Sequence, residues 1–289
     1  PLGQENEMTI AASTELDNGV TVAYKRSLTA LQAGSDSELV FGNILGGTLA
    51  MTSTGNPISA IDDVTPTAFE EANAQVGSIT DVNGSDGTFG IRYTLADVAG
   101  SGFKLDYMYF PVHGTGDATA DQGMSGTSGK EGNEEAHDIT LTGSIPGVDG
   151  LSIGAGYARL NYNYADSETD VRDEGTAYIK YAAGPLTLGA QHGRVSTAGL
   201  GTITYYNTYL GISYAISDDL SVSYNTIDST KGSHEGSAQA GQDQSFDSIS
   251  LSYSMGGMTI GIADADCSNC SYTNNRKQDE TTVSLSVAF

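Results

Sequence analysis

The densest chemical feature of the chain is a set of carboxylates between residues 55 and 86. Asp62, Asp63, Glu70, Glu71, Asp81 and Asp86 fall there, and the stretch holds no Lys or Arg. Grouped carboxylates attract cations, and across a narrow aqueous passage they select for them. Acid pairs also hydrolyse glycosides, but only at a fixed separation, and abundance alone supplies no such pair. Oxygen ligands alternate at Asp81, Asn83 and Ser85, and again at Asp166, Glu168 and Asp170. An EF-hand loop turns on a Gly and closes with a bidentate Glu. The first run has Arg92 in place of that Glu, and the second has Val171 in place of that Gly. Neither is an EF-hand, and no metal site is assigned.

Other reactive residues are sparse. Cys267 and Cys270 form a C-x-x-C pair. Redox use wants that pair at a helix start in a βαβ unit, and zinc wants a second pair. The chain offers neither, so a loop-pinning disulfide in an oxidising compartment is the favoured reading. His113, His137, His192 and His234 lie in or near loops, and no G-x-S-x-G surrounds any Ser. Hydrolysis needs a nucleophile with a base in reach, so no enzyme, no catalytic residue and no cofactor is expected.

These groups must be positioned by strands. In the last residues Val283, Leu285, Val287 and Phe289 point one way and Thr282, Ser284, Ser286 and Ala288 the other. A period of two means a strand. The same alternation recurs along the chain. Asp17-Asn18-Gly19 links two such runs in the manner of a tight hairpin. Phe89, Ile91, Tyr93 and Leu95 share one face, and Phe103, Leu105, Tyr107 and Tyr109 another. On this alternation Lys25, Arg92, Lys104 and Lys180 all take the face away from the Val, Leu and Tyr side chains. No helical periodicity of useful length appears, and no apolar run is long enough for a helical span.

Composition narrows the class. The 289 residues carry 36 Asp and Glu against 12 Lys and Arg, a net charge of −24. That sign excludes nucleic acid as a partner. Hydrophobic content is 38% and mean hydropathy −0.22, thin for a packed core. Yet 16 Tyr and 37 Gly with only 6 Pro suit strands and tight turns better than disorder. An all-β transmembrane barrel reconciles the two, since one residue in two faces lipid and the lumen is wet. A terminal Phe289 then anchors the final strand at the membrane interface, where aromatic girdles lie.

The connections sort by length. Short turns (DNG, GG, ADVAGSG, GVDG, GP, SDD, GG) alternate with longer polar loops, as in outer-membrane barrels with short periplasmic turns. The whole chain, 1–289, reads as one up-and-down antiparallel barrel with about 15 strands visible. First and last strands both run toward the short-turn end. Even strand parity therefore predicts one further strand ahead of Met8, unless the count slips within 38–86.

The chain resembles the Gram-negative general-diffusion porins, those of alphaproteobacteria above all. The resemblance rests on ELDNGVTV (15–22), PTAFEEAN (66–73), MGGMTIGIAD (255–264) and the terminal SLSVAF. It implies a barrel of about sixteen strands in the outer membrane of a Gram-negative bacterium, assembled as a homotrimer. Membrane lipids and lipopolysaccharide would surround it. It also implies passive diffusion of ions and small hydrophilic solutes, with the third external loop folded into the pore. Residues 55–86 occupy that loop's place, although the PEFGG pattern of the enterobacterial loop is absent. On that footing Asp62, Asp63, Glu70 and Glu71 are the acidic constriction, and Lys25, Arg92, Lys104 and Lys180 the basic wall. The acid excess predicts cation preference. The alternative is a non-conducting structural or adhesive barrel.

Overall fold

The computed structural model describes residues 7–29, 33–53, 55–74, 76–85, 89–113, 132–163, 171–198, 203–233 and 243–287. Fifteen strands form one sheet in chain order. They are β1 Glu7–Glu15, β2 Thr21–Thr29, β3 Ala33–Ile44, β4 Gly47–Thr52, β5 Gly90–Leu95 and β6 Phe103–Phe110. Then come β7 Gly132–Ser144, β8 Leu151–Asn163, β9 Val171–Ala183, β10 Leu186–Ser196 and β11 Ile203–Ala215. The last four are β12 Leu220–Ser233, β13 Asp243–Met255, β14 Met258–Ser268 and β15 Lys277–Val287. Every neighbouring pair is antiparallel. Among the described residues β15 pairs with β14 and β1 with β2, and no ladder joins β15 to β1.

Polarity is inverted relative to a water-soluble core. Val283, Leu285 and Ile249 are 68%, 63% and 64% exposed, while Glu174, Asp138 and Asn207 are wholly buried. Apolar side chains left outside and polar ones inside are what a hydrocarbon surround requires. Outward Tyr93, Tyr181, Tyr214 and Tyr253 lie within two residues of the short-turn ends of their strands, where one aromatic belt belongs. Toward the other end the outward face turns polar. There Tyr157 donates to Asp173 and Tyr224 to Asp247, both at 2.5 Å. Strands of 13 or 14 residues, β9 and β11 to β13 among them, exceed the roughly 9–11 that cross a bilayer.

That excess explains where strand ends depart from the hydropathy pattern. Alternation alone starts β9 at Thr176 and β13 at Phe246, but the ladders begin at Val171 and Asp243. There the outward face has left the hydrocarbon, while the inward Glu174 and Gln244 are buried against the loop. The apolar beat fades while backbone pairing continues.

Residues 53–89 join β4 to β5, and the described ones among them lie across the inner face of the sheet. They touch every strand from β7 to β14, from Asp138 on β7 to Gly261 on β14. Inward side chains of eight successive strands thus meet one segment, the arrangement of a sheet curled around a loop. The fold is an up-and-down barrel with an inner loop.

Candidate functional site

The loop leaves β4 with Asn56, whose amide nitrogen donates to the carbonyls of Asn83 and Ser85 at 2.7 and 2.8 Å and ties its two legs together. A single 3-10 turn, Ile58–Ile61, follows. The outgoing leg then crosses the wall by hydrogen bonds from uncharged side chains. Gln191 accepts Val64 N–H at 2.9 Å and donates to Ile61 O at 2.9 Å. Asn225 donates to Pro66 O at 2.9 Å. Ser223 and Ser250 accept the N–H groups of Ala68 and Phe69 at 2.9 and 3.1 Å. Wall glycines let the backbone and rings approach. Pro66 covers Gly189, and Phe69 lies against Gly261, where even a Cβ has no room.

The return leg runs nearer the long-loop end. Gln244 donates to Ser78 O at 3.1 Å and Asn207 to Thr80 O at 2.8 Å. Tyr209 donates to Asp81. Glu174 then accepts the successive N–H groups of Asn83 and Gly84 at 2.6 and 2.7 Å. Two apolar clusters clamp the ends. Ile58 and Val82 pack with Met108, Phe110, Ala158, Leu160 and Val195 at the root. Ala72 and Val76 pack with Tyr209, Ile227, Phe246 and the disulfide-bonded Cys267 and Cys270 at the tip. The inner wall under the loop is therefore dry, where alternation alone suggests polar side chains throughout. Its Phe, Ile and Val serve the loop as a floor.

The nominated acids and three of the four nominated bases stand on different halves of the inner face. Asp62, Asp63, Glu70 and Glu71 ride on the loop, and thus on the half formed by β7 to β14. Burial, with the charge of Asp63 next in weight, pushes Asp62 up to about 7. Burial also raises Glu71 and Asp81. Apart from Met108 and Phe110 of β6, which Ile58 and Val82 cover, the described loop residues leave the inner face of β1 to β6 open, and three of the nominated bases stand there. Lys25 and Glu38 are direct cross-strand partners. Arg92 and Lys104 converge on Asp106, which sits opposite Thr94 in the ladder. Lys180 also faces inward, but on β9 opposite Gly189 in the ladder, on the half that carries the loop and apart from the other three.

Histidine offers no cluster. His113 packs edge-on against Tyr162 at 4.5 Å, His137 bonds Tyr107 and His192 bonds Thr208, each at a separate place. His234, Asp86 and Phe289 lie outside the described residues, as do Asp166, Glu168 and Asp170. Asp81 and Asn83, read from sequence as oxygen ligands in a run, instead bind the wall through Tyr209, Asn207 and Glu174. Among the described residues no group of His, Cys, Asp or Glu is placed to hold a metal. The side chains that pure charge counting overlooks are Gln191, Asn225, Ser223 and Ser250. Their signal is an inward polar residue without charge on a strand that needs none for solubility.

Comparison with known proteins agrees with this architecture. The family model described as Gram-negative porin matches residues 2–289. No curated protein matches the sequence. Among solved structures, an anion-selective porin from Comamonas acidovorans superimposes with a TM-score of 0.67 at 13% identity, covering 98% of this chain and 89% of its own. Salmonella typhi OmpF in complex with daunomycin gives 0.64 at 13% identity, with 96% and 89% covered. The trimer form of OmpT, an outer membrane protein of Vibrio cholerae, gives 0.60 at 9% identity, with 97% and 88% covered. At these identities the likeness is one of fold.

Proposed function

The chain belongs to the Gram-negative porin family of outer-membrane channels, and on that premise we propose a passive, water-filled pore for ions and small hydrophilic solutes that prefers cations. Residues 55–86 act as its constriction. One observation carries the reading: the acidic loop lines one half of the lumen while the bases of the other half are partly matched. Lys25 faces Glu38 across the ladder, and Arg92 and Lys104 share Asp106. Asp62, Asp63, Glu70 and Glu71 have no comparable basic partners on the loop, which has no Lys or Arg. In a narrow bore with low-dielectric walls an unmatched charge is focused onto the passing ion.

The fold itself does not choose the sign, because the Comamonas acidovorans neighbour is anion-selective by its description. Side chains choose it, and here the whole chain carries −24. A homotrimer in lipid and lipopolysaccharide is the assembly this reading takes, supported by the trimer form of the Vibrio cholerae protein. Reconstitution in a planar bilayer under a KCl gradient tests the proposal. The expected zero-current potential is the one set by potassium, with closures in three equal steps. A chloride-set potential overturns the cation preference, and the lack of any steady conductance overturns the channel.

A further inference from the structure

We infer that Asp106 is the specificity-determining residue of the uncovered wall, fixing both the charge and the clearance that Arg92 and Lys104 present to the lumen. The inference rests on the channel reading above and adds a residue to it.

The geometry is that of one carboxylate serving three donors. Arg92 Nε donates to Oδ1 at 2.8 Å, and a second guanidinium nitrogen meets Oδ2. Lys104 Nζ lies 2.7 Å from Oδ2, and Thr94 Oγ1 donates to Oδ1 at 2.6 Å. Strand register produces this directly. Thr94 faces Asp106 across the β5–β6 ladder, Arg92 is the next same-face residue on β5, and Lys104 the next on β6. The side chain of Asp106 is only 3% exposed, against 24% for Arg92 and 45% for Lys104. A passing ion therefore meets two cations whose shared counter-charge is fixed behind them.

Two consequences follow. The pair of bases counts as one net positive charge, not two. The fork-to-fork geometry also holds the guanidinium against the wall, because a planar donor pair has one good alignment with a carboxylate. Without Asp106 the long Arg92 side chain is free to swing into the bore, and both its charge and its bulk enter the path.

The test uses the reconstituted full-length protein, with heat-dependent gel mobility confirming a folded barrel for each variant. Asp106→Asn is expected to lower the potassium-to-chloride permeability ratio about fivefold, the size of one unit charge acting through water over several ångströms in opposite senses on the two ions, and to lower single-channel conductance. A folded Asp106→Asn with wild-type ratio and conductance overturns the inference. Arg92→Lys keeps the charge and loses the fork, so it serves even where Asp106→Asn fails to fold. Its expected signature is an unchanged ratio with reduced, noisier open-channel current. Arg92→Lys indistinguishable from wild type also overturns the inference. The wild-type potential alone decides the cation reading, whereas these shifts are measured relative to it, so the two fail separately.

Discussion

Gln191 on β10 is hydrogen-bonded to Val64 on the loop, its Oε1 accepting the backbone N–H at 2.9 Å. The same carboxamide donates to Ile61 O at 2.9 Å and to Thr176 at 2.9 Å. One wall side chain thus satisfies both signs of backbone group on a segment that has no regular structure of its own. Gln191 is 3% exposed, so its removal strands the loop groups away from bulk water. Each buried unsatisfied group costs about 1–3 kcal/mol. Gln191→Leu should therefore loosen the outgoing leg without unfolding the barrel. The expected result is flickering single-channel current and faster protease nicking within 55–86, with wild-type heat stability of the sheet.

Gly261 makes a complementary case at the loop tip. Phe69 lies on it with no space for a Cβ, and Ser250 holds the Phe69 N–H one strand away at 3.1 Å. Gly261→Val keeps β14 a strand, since Val favours extended backbone, but it must expel the ring. Glu70 and Glu71 then move with Phe69. Conductance should change while the folded gel mobility is kept. Wild-type conductance would mean that this part of the loop does not line the narrowest point.

How much of this was legible beforehand differs by element. Strand faces were readable because lipid imposes a simple demand on every second residue, as with Ile91, Tyr93 and Leu95 on β5. The sorting of turns at Gly19, Gly46 and Gly256 gave the topology for the same reason. The docking of the loop was not readable. Gln191, Asn225 and Ser250 have no periodic signature, and their partners lie far away in sequence. The apolar floor under the loop has no periodic signature either, because Ile227 and Phe246 break a polar beat that holds only where water fills the lumen. Charge sign predicted candidate bases, yet it could not see that Arg92 and Lys104 share one carboxylate, which is a matter of register.

Charge removal on the loop separates selectivity from folding. Glu70 and Glu71 are partly exposed, and the hydrogen bonds near them use backbone atoms: Thr67 donates to Glu70 O at 2.9 Å and Ala74 N to Glu71 O at 3.2 Å. Glu70→Gln with Glu71→Gln preserves shape and removes the charge. The potassium-to-chloride ratio should fall, with no loss of heat stability beyond the roughly 0.5 kcal/mol typical of surface changes. An unchanged ratio would place these carboxylates outside the ion path.

Asp62 should make selectivity depend on pH near neutrality. Burial first, and then the neighbouring charge of Asp63, raises its carboxyl to about 7. A raised carboxyl is charged above that value and neutral below it. The loop therefore carries Asp62 as an anion at pH 8 and as a neutral acid at pH 6. Cation preference should fall as pH drops through about 7, well above the range where ordinary carboxylates titrate. Asp62→Asn should hold the low-pH ratio across the whole range, and Asp63→Asn should move the midpoint down, because it removes a charge that opposes ionisation. Zero-current potentials measured from pH 8.5 to 5.5 in the same KCl gradient, scanned on the order of half a unit at a time, read all three. A flat wild-type profile over that range would place Asp62 away from the permeating ion.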